Sequence, residues 1–113
     1  GKMPEKVVYT LTDAGHAEFE RLMASIAAQP IHLFLDFNAV IVNLDALPPE
    51  EQQARLADIE KNVGILNAYL ENNLAEKEQL PEIPATGLAV LKQQLILANA
   101  IEEWLLSLKN SQV

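Results

Sequence analysis

Apolar positions alternate with polar ones in a single short stretch near the start of the chain, and from position 19 onward they recur at helical spacing. Lys6-Val7-Val8-Tyr9-Thr10-Leu11 is rich in β-branched and aromatic residues, with Val7, Tyr9 and Leu11 on one face, which predicts a short β-strand. Thr12 then offers a side-chain oxygen to the free N–H groups of a helix start, and Asp13 complements the dipole. The helix so begun is expected to run to about Gln29, where Pro30 ends it. Phe19, Leu22, Met23 and Ile26 follow the spacing of one buried stripe.

The next segment, LFLDFNAVIVNLDAL from Leu33 to Leu47, is apolar nearly all round and predicts a helix buried on most sides. Its polar exceptions pair two turns apart, Asp36 with Asn43 and Asn38 with Asp45. Pro48-Pro49-Glu50-Glu51 is a helix-start signal: proline is tolerated in the first turn, and carboxylates suit the positive end of the dipole. The helix it opens is expected to reach about Glu78. Its seam, Leu56, Ile59, Val63, Leu66 and Leu70, alternates steps of three and four, with Gly64 as a weak point. Two prolines in EQLPEIPATG (Glu78 to Gly87) interrupt the pattern. A last helix is expected from Pro84 or Thr86 to Lys109, a residue well placed for the C-terminal dipole. It carries two apolar stripes, one through Leu88, Leu91, Leu95 and Ala98, the other through Val90, Leu97, Ile101, Trp104 and Leu108.

These helices pose a problem of size. About 28 residues of helix span ~42 Å, whereas a compact chain of this length has a radius of gyration of ~13 Å. The two long helices must project beyond a compact body or lie against something else. A second copy of the chain is the economical partner, symmetric dimers being the commonest oligomers. The dimer interface is expected along the last helix, at Leu88, Leu91, Leu95 and Ala98 of one stripe, Ile101, Trp104 and Leu108 of the other, and Leu105. The competing arrangement is a four-helix bundle that buries both stripes within one chain. The seam from Leu56 to Leu70 likewise has two readings, a partner surface or the antiparallel contact with the last helix.

Composition sharpens the class. Of the 113 residues, 50% are hydrophobic but only 5% aromatic, a balance that suits packed helices and an all-α fold. No apolar run is long enough for a membrane span, and no signal peptide follows Lys2 and Lys6. The absence of cysteine excludes disulfides and thiolate metal sites and fits a cytoplasmic protein. A net charge of −8 argues against a phosphate-binding surface, which needs Lys and Arg to displace counterions.

Catalytic chemistry is not indicated. No phosphate-binding glycine loop occurs, His16 and His32 lack ligand spacing with a carboxylate, and Ser25, Ser107 and Ser111 have no visible base. The expectation is therefore a non-enzyme with no catalytic residue, no metal site and no cofactor. Trp104, with Asp36 and Asn43, marks a possible pocket for a small-molecule effector, against the plainer reading of Trp104 as packing and of the two polar residues as caps or rim.

KVVYTLTDAGHAEFERLM (Lys6 to Met23) resembles the end of a winged-helix domain of the PadR family of transcription regulators. In that family the second wing strand reads as a basic residue, a Tyr, then Leu-Thr-x-x-Gly leading into a helix; Lys6, Tyr9, Leu11, Thr12 and Gly15 fill those places. His16 departs from the family's frequent Arg or Lys. LKQQLILANAIEEWLLSL (Leu91 to Leu108) is similar to the family's final helix, and ALPPEEQQARL (Ala46 to Leu56) to the subgroup with a larger C-terminal domain, typified by virulence-gene activators. The resemblance implies a remnant of the wing strand over residues 1–12, whose pairing partner is the first wing strand, and a helical dimerisation domain, with a possible effector site, over 13–113. Operator DNA would be bound only through an N-terminal winged helix-turn-helix not contained in these residues, with Lys2 and Lys6 the wing residues nearest the phosphate backbone. The intact protein would work as a homodimer. The alternative is a helical protein–protein interaction module with no link to DNA.

Overall fold

The structure, a computed structural model, describes residues 12–111. The chain divides into two compact units, Gly1–Phe34 and Leu35–Val113. Every regular element among the described residues is helical, as the composition leads one to expect. The expected strand at 6–11 and the wing residues Lys2 and Lys6 lie outside the described residues.

In the first unit, helix α1 spans Asp13–Ala27. Thr12 caps it as expected: its backbone is extended, and its hydroxyl oxygen accepts the Gly15 N–H at 3.0 Å. Asp13 lies in the first turn. The helix stops two residues short of Gln29, and the Ala28 N–H closes the last turn on the Ala24 carbonyl. The stripe of Phe19, Leu22, Met23 and Ile26 is amphipathic in spacing but exposed, which corrects the expectation that it is buried. No other described segment of this unit could cover it, because the residues that follow α1 have no regular structure, and Ile31, Leu33 and Phe34 are themselves exposed.

The second unit is organised by two long helices, α3 over Pro49–Glu78 and α4 over Ala85–Ser111. Pro48 and Pro49 open α3: the Pro48 carbonyl accepts the N–H groups of Glu51 and Gln52, each at 2.9 Å, while Glu50 and Glu51 lie at the positive end of the dipole. Pro84 plays the same part for α4, its carbonyl accepting from Gly87 and Leu88. The short connection between them folds the helices back on each other, and α3 and α4 pack as an antiparallel pair.

The segment from Leu33 to Leu47 is not the continuous buried helix its apolar content predicts. It holds a five-residue helix, α2, over Asn38–Val42, followed by a 3-10 turn over Leu44–Ala46. Asn43 ends α2: its side-chain Nδ2 donates to the Ala39 carbonyl at 2.7 Å, and its N–H donates to the Val40 carbonyl three residues back at 3.2 Å, closing a 3-10-type turn. A helix apolar all round needs neighbours on every side, and the hairpin offers one. The broken path instead points Phe37, Val40, Ile41, Leu44 and Leu47 at the hairpin and leaves Val42 exposed.

The core forms where this cap meets the hairpin. Leu44, Leu56, Ile59, Val63 and Leu105 are buried together, and Leu56 and Leu105 are enclosed almost completely, at 0% and 1% exposure. Gln52 fastens the cap to the start of α3, its Nε2 donating to the Leu47 carbonyl at 2.8 Å.

Candidate functional site

Three features of the hairpin unit are candidates for function: its inner seam, the uncovered side of α4, and a small cleft.

The seam departs from the expected register at one place. Leu56, Ile59, Val63 and Leu70 are buried on α3, but Asn67 takes the fourth position of the seam in place of Leu66, which turns outward. Asn67 is only 6% exposed. Its Nδ2 donates to Glu102 Oε2 on α4 at 3.1 Å, the orientation a carboxylate requires because it only accepts. Asn67 Oδ1 meets no donor among the described residues, and leaving such an atom unpaired costs about 1–3 kcal/mol. Two turns nearer the N-terminus of α3, half-buried Glu60 pairs with Lys109 of α4. Lys109 was expected to complement the helix dipole; it also ties the two helices together.

On α4 the two stripes have different fates. Ala98 and Leu105 are buried on the α3 side, with Leu88, Leu91 and Leu95 half-buried. Ala98 and Leu105, two of the residues expected at a dimer interface, are already covered within the chain. Ile101 and Leu108 pack at the edge of the core. Val90, Leu97 and Trp104 stay exposed. They stand seven residues apart and so share one face of α4. Leu66 and Tyr69 on α3 are exposed as well.

The cleft lies between the cap and this side of the hairpin. Leu35, Phe37, Ile59, Asn62, Val63, Leu66 and Ile101 line a volume of about 210 Å³. Asn62 supplies its one polar side chain. Trp104 is not among the lining residues; its ring stacks on Phe37, with centroids 6.1 Å apart. The anticipated grouping of Trp104 with Asp36 and Asn43 is not formed around this cleft. Asp36 and Asn43 are both exposed, and Asn43 spends its amide on the end of α2. Their spacing of seven suggested a common face only on the assumption of a continuous helix. Phe37 and Leu35, which build the cleft wall, carried no sequence signal beyond being apolar.

His16 and His32 are exposed. Among the described residues no group of three or more metal-ligating side chains comes together, and no helix is long and apolar enough to cross a membrane. In α1, Glu18 and Arg21 form an ion pair on the surface that holds the Glu18 carboxyl below its ordinary pKa and raises that of Arg21. No protein-family model, curated protein or solved structure matches the chain.

Proposed function

We propose that this chain is the dimerisation region of a PadR-like, cytoplasmic transcription regulator, a non-enzymatic part of a protein that reads operator DNA through a winged helix-turn-helix. The observation that carries this reading is the second stripe of α4: once α3 has covered the first, Val90, Leu97 and Trp104 still face outward. An apolar face of this kind on a long helix is what a second copy would cover. The order of the PadR-like motifs along the chain supports the family, and the charge of −8 supports leaving phosphate contacts to another part of the protein.

In this reading, dimer geometry sets the spacing of two recognition helices on a pseudo-palindromic site. A small-molecule effector acts only through unequal affinity for two dimer geometries, and the cleft beside Phe37 borders the stripe where such a difference would arise. The same stripe would also serve a helical interaction module without any link to DNA. The coding sequence upstream separates the two: a helix-turn-helix ending in a wing strand belongs to the regulator alone.

Sedimentation of the chain tests the dimer. The expected mass is twice 12.5 kDa, falling to the monomer in Leu97→Asp with helicity retained. A monomer in the unsubstituted chain at micromolar concentration overturns the dimer. Gel shift with candidate operator fragments is expected to show no retention by this chain alone.

A further inference from the structure

We infer that the cleft between the cap and α3 binds a compact, neutral, apolar small molecule of one or two rings, carrying at most one polar group. Its shape follows from two local patterns. Ile59, Asn62, Val63 and Leu66 stand at i, i+3, i+4 and i+7 and so share one face of α3. The irregular stretch before α2 adds Leu35 and Phe37, and α4 adds Ile101. All of them belong to the unit Leu35–Val113.

The lining selects the class of ligand. Ile59 and Val63 are buried members of the core, so the cleft opens onto an apolar floor. Water entering it finds one polar side chain, Asn62, short of the two to four partners that hold a water well. An apolar guest displaces such water readily. Asn62 is exposed at the rim, and its amide can donate or accept, which suits one hydroxyl or carbonyl on the guest. Among the described residues no charged side chain lines the cleft, and the chain carries a charge of −8. An anion there would lose hydration without gaining a partner. Size narrows the class further. The cleft holds about 210 Å³, more than the ~150 Å³ apolar cavity that takes up benzene and less than the ~300 Å³ where sites for drug-sized ligands begin. Phe37 lines the cleft and stacks on Trp104 of the α4 stripe, so an occupied cleft bears on the face a dimer would use. That consequence rests on the reading above; the binding itself does not.

Methyl NMR of the chain titrated with 2-naphthol, neutral at neutral pH, tests the site. Saturable shifts at one molecule per chain are expected, centred on Ile59, Val63, Leu66 and Ile101. 2-Naphthoate, with the same rings and a negative charge, is expected to bind about tenfold more weakly or worse. Leu66→Asp and Leu35→Asp each bring a carboxylate to the lining from a different element, and whichever folds should weaken 2-naphthol by a similar factor. Ile65→Asp, at an exposed neighbour outside the cleft, should leave the affinity unchanged. Shifts that fail to saturate, or that centre on Val90 and Leu97, overturn the inference. So does equal binding of the naphthoate, or an unchanged affinity in a folded lining variant. The titration is repeated in Leu97→Asp: binding there but not in the parent would mean that a second copy seats itself on the cleft, and overturns the inference too. Binding in both supports it, even if sedimentation finds the parent monomeric and the dimer reading fails.

Discussion

The rings of Phe37 and Trp104 stack with centroids 6.1 Å apart and planes 20° from parallel, which joins the irregular cap to the face of α4 that α3 leaves open. Phe37 also lines the cleft, so one side chain anchors the cap and shapes the cavity. Trp104 is accordingly neither free to rotate nor fully enclosed.

Phe37→Ala should loosen the cap while leaving the hairpin helical. Losing a half-buried aromatic and its stacking partner is expected to cost about 2 kcal/mol in urea unfolding. Trp104 fluorescence should shift to longer wavelength as its ring gains water. Phe37→Leu, which keeps the bulk but not the stack, should recover most of the stability and little of the spectral shift.

Core and surface leucines of the hairpin should separate sharply. Leu56→Ala and Leu105→Ala each remove an enclosed side chain from the cluster with Leu44 and Val63, and a loss of about 2–5 kcal/mol is expected. Leu106, the neighbour of Leu105, is exposed, and Leu106→Ala should stay within about 0.5 kcal/mol. Equal losses at 105 and 106 would mean that α4 presents a different face to α3.

Helix ends were legible in the sequence because their chemistry is local. Thr12 caps α1 with its own hydroxyl, and Pro48-Pro49 and Pro84 open α3 and α4 whatever lies around them. The positions of the seam were not legible to the same degree. Leu66 continues the alternation of three and four steps, yet Asn67 is the buried residue, because a straight helix with 3.6 residues per turn drifts relative to that repeat and the partner helix decides which neighbour it covers. The stretch from Leu33 to Leu47 misled for a different reason. With apolar residues on every side, its composition gave no periodicity to contradict a helix, and the stop at Asn43 depends on a side-chain bond to Ala39. On α4, both stripes were visible, but the choice between them falls to α3, which takes the one containing the small residue Ala98.

Glu18 should titrate below an ordinary glutamate, because the Arg21 guanidinium stabilises its ionised form. A folded-state pKa below the unfolded value stabilises α1 above the unfolded pKa, and this contribution is lost as pH falls through the folded one. Both side chains are exposed, so the effect should be visible in the carboxyl chemical shift of Glu18 and in local helicity, with no displacement of global unfolding. Arg21→Ala should return the titration to the ordinary range.

Gly64 offers a position where stability can be raised without touching the core. It sits inside α3 with helical backbone, and beyond its own turn of helix an added Cβ would meet no atom within 4 Å. Glycine costs a helix interior about 1 kcal/mol relative to alanine, through the entropy lost on ordering it. Gly64→Ala should therefore raise the urea midpoint by an amount equivalent to about 0.5–1 kcal/mol.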